Sequence, residues 1–184
     1  VGALYFQHRG STRPVVTLQV IELLLTVIGG LAVLGLFLID GVTGTDLAVW
    51  VCAHGLIIVI GFLTGIELPL LIQIRNLDTP DSESKVIGVD YIGAFAGTMA
   101  FAFYFYPTLG LIPSAFTVAL LNALVGLLLV SQAGKVGRDS HTLHRGLALG
   151  HFVLCLVYIA GLLHGADVSD IALDQYLQTH HEAS

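Results

Sequence analysis

Long apolar runs separated by short polar breaks dominate this chain. Five stand out, over residues 15–39, 47–74, 86–106, 112–130 and 147–163. Each is near or above the length of about 20 apolar residues that crosses a hydrocarbon core roughly 30 Å thick. None shows the period-two alternation and shorter span of barrel strands, so helices are the expected form. The breaks fit that reading. Arg13-Pro14 precedes the first run, and proline suits a first helical turn. Asp40-Gly41 is expected to end it. Residues 76–84 read as a polar loop around Pro80, residues 107–113 as a tight apolar turn, and residues 133–142 as a loop holding Gly134 and Gly137. The expected fold is therefore all-α: a polytopic transmembrane helix bundle of about five spanning helices within residues 1–165. A polar, acidic tail follows over residues 166–184, and its amphipathic stretch, 168–177, is expected to form a short surface helix. The apolar stub at residues 1–6 resembles the end of a helix, so further helices are expected before residue 1.

Composition sharpens this picture. Of 184 residues, 55% are hydrophobic and only 11% charged, with a mean hydropathy of +0.88. A water-soluble domain carries roughly 25% charged residues, so these helices need lipid around them. The formal net charge of −6 conceals a segregation of signs. All seven basic residues, Arg9, Arg13, Arg75, Lys85, Lys135, Arg138 and Arg145, fall before the first run, after the second or after the fourth. By the positive-inside rule, the loops near residues 9–13, 75–85 and 134–145 are cytoplasmic, and the tail lies on the outer face. An inner (plasma) membrane location in a bacterium is expected. Phe101, Phe103, Tyr104, Phe105, Tyr106 and Trp50 then fall at the outer interface, where an aromatic belt belongs.

No glycine-rich nucleotide loop, Walker sequence or nucleophile triad can be read, no stretch between the runs could house a Rossmann unit, and nothing points to nucleic acid. Cys52 and Cys155 sit inside apolar runs without zinc or redox spacing, and read as small apolar residues. Neither catalytic residues nor a metal site is expected in this chain.

Charges inside spanning helices are costly and mark function by default. Glu22, Glu67 and Asp90 qualify. Glu67, late in the second run, and Asp90, early in the third, should lie at similar depth near the cytoplasmic face, within one water-bridged contact. With Tyr91 and Asn122 they form a candidate polar membrane site for a cation, a proton or a polyamine. The alternative is that these carboxylates reach the interface or bond to Tyr91, Gln73, Asn122 or backbone. Gly61-x-x-x-Gly65 and Gly93-x-x-x-Gly97 are small-residue motifs suited to close helix packing. Pro69 is expected to break the second helix near residue 65 and free a carbonyl there, or simply to kink it. Histidines His54, His151 and His164 could serve as haem ligands, since paired membrane histidines can hold that group. Hydrogen bonding within the bundle is the plainer role for them and for His144, which shares a face with His151.

A family resemblance rests on an ordered set of pieces: Gly61-Phe-Leu-Thr-Gly65-Ile-Glu67-Leu-Pro69-Leu-Leu, then Asp90-Tyr91-Ile-Gly93-Ala94 with Gly97, then Pro107-Thr-Leu-Gly110-Leu, then Leu121-Asn122-Ala123-Leu. Over roughly residues 18–130 this resembles the membrane domain that precedes the catalytic domain in membrane-bound bacterial spermidine synthase-like proteins. Asp174-Gln175-Tyr176-Leu177 faintly resembles the run-up to the synthase domain. The resemblance implies additional helices before this segment and an aminopropyltransferase domain elsewhere in the polypeptide, binding decarboxylated S-adenosylmethionine and a diamine. That domain's residues have no counterpart here. The expected role is thus a membrane domain, non-catalytic by itself, that anchors a catalytic domain or handles a polyamine or cation near Glu67 and Asp90. Two alternatives stand beside it: a structural subunit docking on other membrane subunits, and a haem- or quinone-binding electron-transfer subunit.

Overall fold

A computed structural model of the protein describes residues 11–77, 79, 83–135 and 141–164. The stub at residues 1–6, Arg9, Arg138 and the tail at 166–184 lie outside the described residues. Among those described there is no strand, and five helices are long and apolar enough to cross a membrane. Helix α1 spans Pro14–Thr43 and α2 spans Asp46–Asn76. Helix α3 covers Glu83–Leu109, being α-helical over Glu83–Ala100, π-helical over Phe101–Phe105 and α-helical again over Tyr106–Leu109. Helix α4 spans Leu111–Leu128 and tightens into a 3-10 turn at Leu129–Lys135, and α5 spans His141–Leu163.

The helices outrun the apolar runs because hydropathy falls before the backbone stops being helical. Asp40-Gly41 does not end α1. The helix continues to Thr43, and Gly44 closes it in the left-handed region at φ 55°, donating its N–H to the Asp40 carbonyl at 2.8 Å. The turn expected over residues 107–113 contracts to Gly110, at φ 81°, between Leu109 and Leu111. Glycine suits both positions because a Cβ would be strained there. Pro69 does not break α2, which runs unbroken from Asp46 to Asn76. A proline removes one backbone donor, and a helix of this length inside a bundle absorbs that loss. Helix α5 starts at His141, within the expected loop, so His144 and Arg145 are helical residues.

Helix α1 is the hub of the bundle. It packs against α2 on one side and against both α4 and α5 on the other, and α4 also packs against α5. Towards α2 it turns Leu18, Ile21 and Leu25, which share an apolar cluster with Ile66, Leu70 and Ile74. A second cluster joins Ile112, Phe116 and Ala119 of α4 to Tyr158 of α5, with Val33, Leu34 and Phe37 of α1 against it. Helix α3 packs on α2 along its length and meets α4 only at its C-terminal turn, and none of its residues is buried. The glycine motifs do not make the close contacts expected of them within this chain: a Cβ added at Gly61, Gly93 or Gly97 would meet nothing within 4 Å. Close packing occurs instead at Gly30, Gly126 and Gly161, which accept the rings of Tyr158, His151 and Phe116.

Candidate functional site

Three carboxylates come together from three consecutive helices. Glu22 is buried on the α2-facing side of α1, four residues beyond Leu18 and three before Leu25. Its carboxyl group lies against that of Glu67, which sits half-buried on α2 between the core residues Ile66 and Leu70. Asp90, exposed on α3, lies close enough to Glu67 to act on it electrostatically. The site follows from elementary geometry. Residues four apart share a helix face, so the apolar stripes that join α1 to α2 carry Glu22 and Glu67 into the same interface.

Two carboxyl groups can share a hydrogen bond only if a proton, or a donor brought by a ligand, lies between them. Three carboxylates at one depth, in a medium of low dielectric, favour a positively charged occupant. For the other members of the expected site the structure gives exposure and helix position. Tyr91 is 70% exposed on α3. Asn122 is half-buried on α4, a helix packed on α1 and α5. Glu22 therefore proves to be the direct partner of Glu67, with Asp90 flanking the pair. Two grooves between α1 and α2, of 520 and 550 Å³, have overwhelmingly apolar walls, and Glu22, Glu67 and Asp90 line neither. They suit acyl chains.

A second polar region joins α1, α4 and α5. His144 donates Nδ1–H to Oε1 of Gln19 at 2.6 Å, and Nε2 of Gln19 donates to the Gly126 carbonyl at 3.5 Å. His151 donates Nδ1–H to the Leu147 carbonyl at 2.9 Å, with its ring lying where a Gly126 side chain would stand. Tyr158 donates its hydroxyl to the Thr26 carbonyl at 2.8 Å. The shared face of His144 and His151 was readable from their seven-residue spacing; Gln19, Thr26 and Gly126 were not singled out, because their partners lie more than a hundred residues away.

The histidines weighed as haem ligands occupy unlike positions. His54 and His164 are exposed, each bonded through Nδ1 to the carbonyl one turn back, at Trp50 and Ala160, and His54 also stacks on Trp50 with ring centroids 4.0 Å apart. His151 is fully buried, and its ring packs against Gly126. Among the described residues no group of three or more His, Cys, Asp or Glu is arranged to hold a metal ion.

The chain is similar to polyamine aminopropyltransferase 1 of Streptomyces coelicolor, with 33% identity over 122 residues, 64% of this chain and 22% of that protein. It is 32% identical to the polyamine aminopropyltransferase of Oceanobacillus iheyensis over 157 residues, 81% of this chain and 29% of that protein. Polyamine aminopropyltransferase 2 of Streptomyces coelicolor is 30% identical over 149 residues, 76% of this chain and 26% of that protein. The chain thus spans less than a third of the length of each of these relatives. No protein-family model matches the chain, and no solved structure matches it.

Proposed function

From this relationship to the polyamine aminopropyltransferases, we propose that the chain is the membrane domain of a protein of that kind and that it binds an amine cation between Glu22, Glu67 and Asp90. The observation that carries the reading is the contact between Glu22 and Glu67, with Asp90 beside it. An alkylammonium group has three N–H donors and one positive charge. It can replace the shared proton and satisfy oxygens from more than one carboxylate. The aliphatic stem of a polyamine fits an apolar helix interface better than a hydrated metal ion does. The names of the relatives support an amine as the chemical class of the ligand, and the contact between the carboxylates supports this location. On this reading the helices hold and deliver the amine, and aminopropyl transfer belongs to residues outside this chain.

The test is equilibrium binding of labelled spermidine to the protein in lipid nanodiscs. Glu67→Gln and Glu22→Gln are each expected to weaken binding by about tenfold, equivalent to ~1.4 kcal/mol. Tyr91→Phe leaves it unchanged. Equal binding by wild type and Glu67→Gln would sink the proposal.

The docking-subunit reading has one observation in its favour, the lack of any buried residue on α3. Burial of α3 against another protein in an isolated complex would support it.

A further inference from the structure

We propose that the seam between α1, α4 and α5 holds internal waters, bound at His144, His151 and Thr26 along its length. It is independent of the carboxylate site.

The seam is built by two matching stripes. On α1, Gln19, Leu23, Thr26 and Gly30 recur at steps of four and three. On α5, His144, His151, Cys155 and Tyr158 recur at steps of seven, four and three. These are the spacings that keep two helices in register along a shared face. The two stripes meet at both ends: Gln19 against His144 at one, and Thr26 and Gly30 against Tyr158 at the other. Leu23 touches Gly150 between them. The interval holds His151, and Gly126 of α4 closes it.

Three side-chain atoms in this interval have no hydrogen-bond partner: Nε2 of His144, Nε2 of His151 and Oγ1 of Thr26. Their residues are 2%, 0% and 0% exposed. The tautomers are fixed by the partners. Both Nδ1 atoms face an oxygen that can only accept, so each must carry the hydrogen, and each Nε2 is left as a bare lone pair. Thr26 is equally unusual. Thr17, Thr43, Thr64, Thr98 and Thr117 all donate their hydroxyls to the carbonyl four residues back. The Thr26 hydroxyl does not, and so keeps its donor for another acceptor. A buried polar atom left dry costs about 1–3 kcal/mol, and this seam would hold three of them. Water is the occupant that fits. It donates to a bare nitrogen, accepts from a hydroxyl, and in protein interiors typically makes about three such bonds. A single metal ion does not fit, because two histidines seven residues apart are about 10 Å apart along the helix axis.

Hydroxyl-radical footprinting of the intact protein in nanodiscs tests this directly, because radicals are generated from water in place. The expected result is oxidation of His144 and His151 at rates comparable to exposed His54, while Phe116 in the neighbouring apolar cluster stays unmodified. His144 and His151 as unreactive as Phe116 would overturn the proposal. A second measurement uses Thr26→Val, which keeps the shape and removes the hydroxyl. Its expected effect is a several-fold slower oxidation of His151, with His54 unchanged. An unaltered His151 rate would remove Thr26 from the site.

Discussion

At the scale of single residues, two kinds of glycine differ in what surrounds them. A Cβ at Gly126 would lie 1.9 Å from Nε2 of His151, whereas one at Gly93 would meet nothing within 4 Å. Gly126→Ala is therefore expected to destabilise the protein by about 1–3 kcal/mol, the usual cost of overpacking. Gly93→Ala is expected to be neutral or to stabilise by about 0.5–1 kcal/mol through helix propensity. Thermal unfolding of both variants in one detergent would check the contrast, and similar losses for the two would contradict it. The same pair shows what spacing could and could not reveal. Gly93 was conspicuous because Gly97 follows it four residues later, but that regularity is local. Gly126 has no such neighbour in sequence, and the ring that requires it comes from another helix. By contrast, Glu22, Glu67 and Asp90 were visible as isolated charges in apolar runs, since their cost depends on the membrane and not on a distant partner.

At the scale of elements, the existence and order of the helices were legible in the hydropathy, and their ends were not. Helix α5 gains His141, His144 and Arg145 because polar residues find partners or solvent in its first turn: His144 is buried against Gln19, and Arg145 is exposed. Pro69 illustrates the opposite error. The rule that proline breaks helices was applied to a residue whose helix is held in place by Ile66, Leu70 and Ile74. Helix α3 differs from the other four in having no buried residue. Few apolar contacts mean a small free energy of local opening. Hydrogen exchange of the protein in detergent is expected to show the backbone of α3 as the least protected of the five helices. Protection of α3 equal to that of α1 would mean that another surface covers it.

At the scale of the whole molecule, the arrangement is a close-packed triad of α1, α4 and α5, with α2 on the opposite side of α1 and α3 outermost. Its orientation rests on the placement of the basic residues, which an impermeant maleimide can test. In a background with Cys52 and Cys155 replaced by alanine, Thr45→Cys is expected to label in intact cells. Thr79→Cys is expected to label only after the membrane is opened. Both residues are exposed, at opposite ends of α2. The reverse pattern would invert the topology.

The connection at Gly110 sets the mechanics of the outermost helix. One residue joins α3 to α4, so the C-terminal end of α3 is held to the triad while the rest of the helix packs on α2. Asp90 lies about 20 residues from that connection, a lever of about 30 Å at 1.5 Å per residue. A tilt of only about 10° carries Asp90 some ~5 Å along its arc, on the same rise per residue. That travel is comparable to the reach of a carboxylate for a cation. The third carboxylate therefore sits on the least buried helix, far from its connection to the triad, and the first two sit in the interface between α1 and α2.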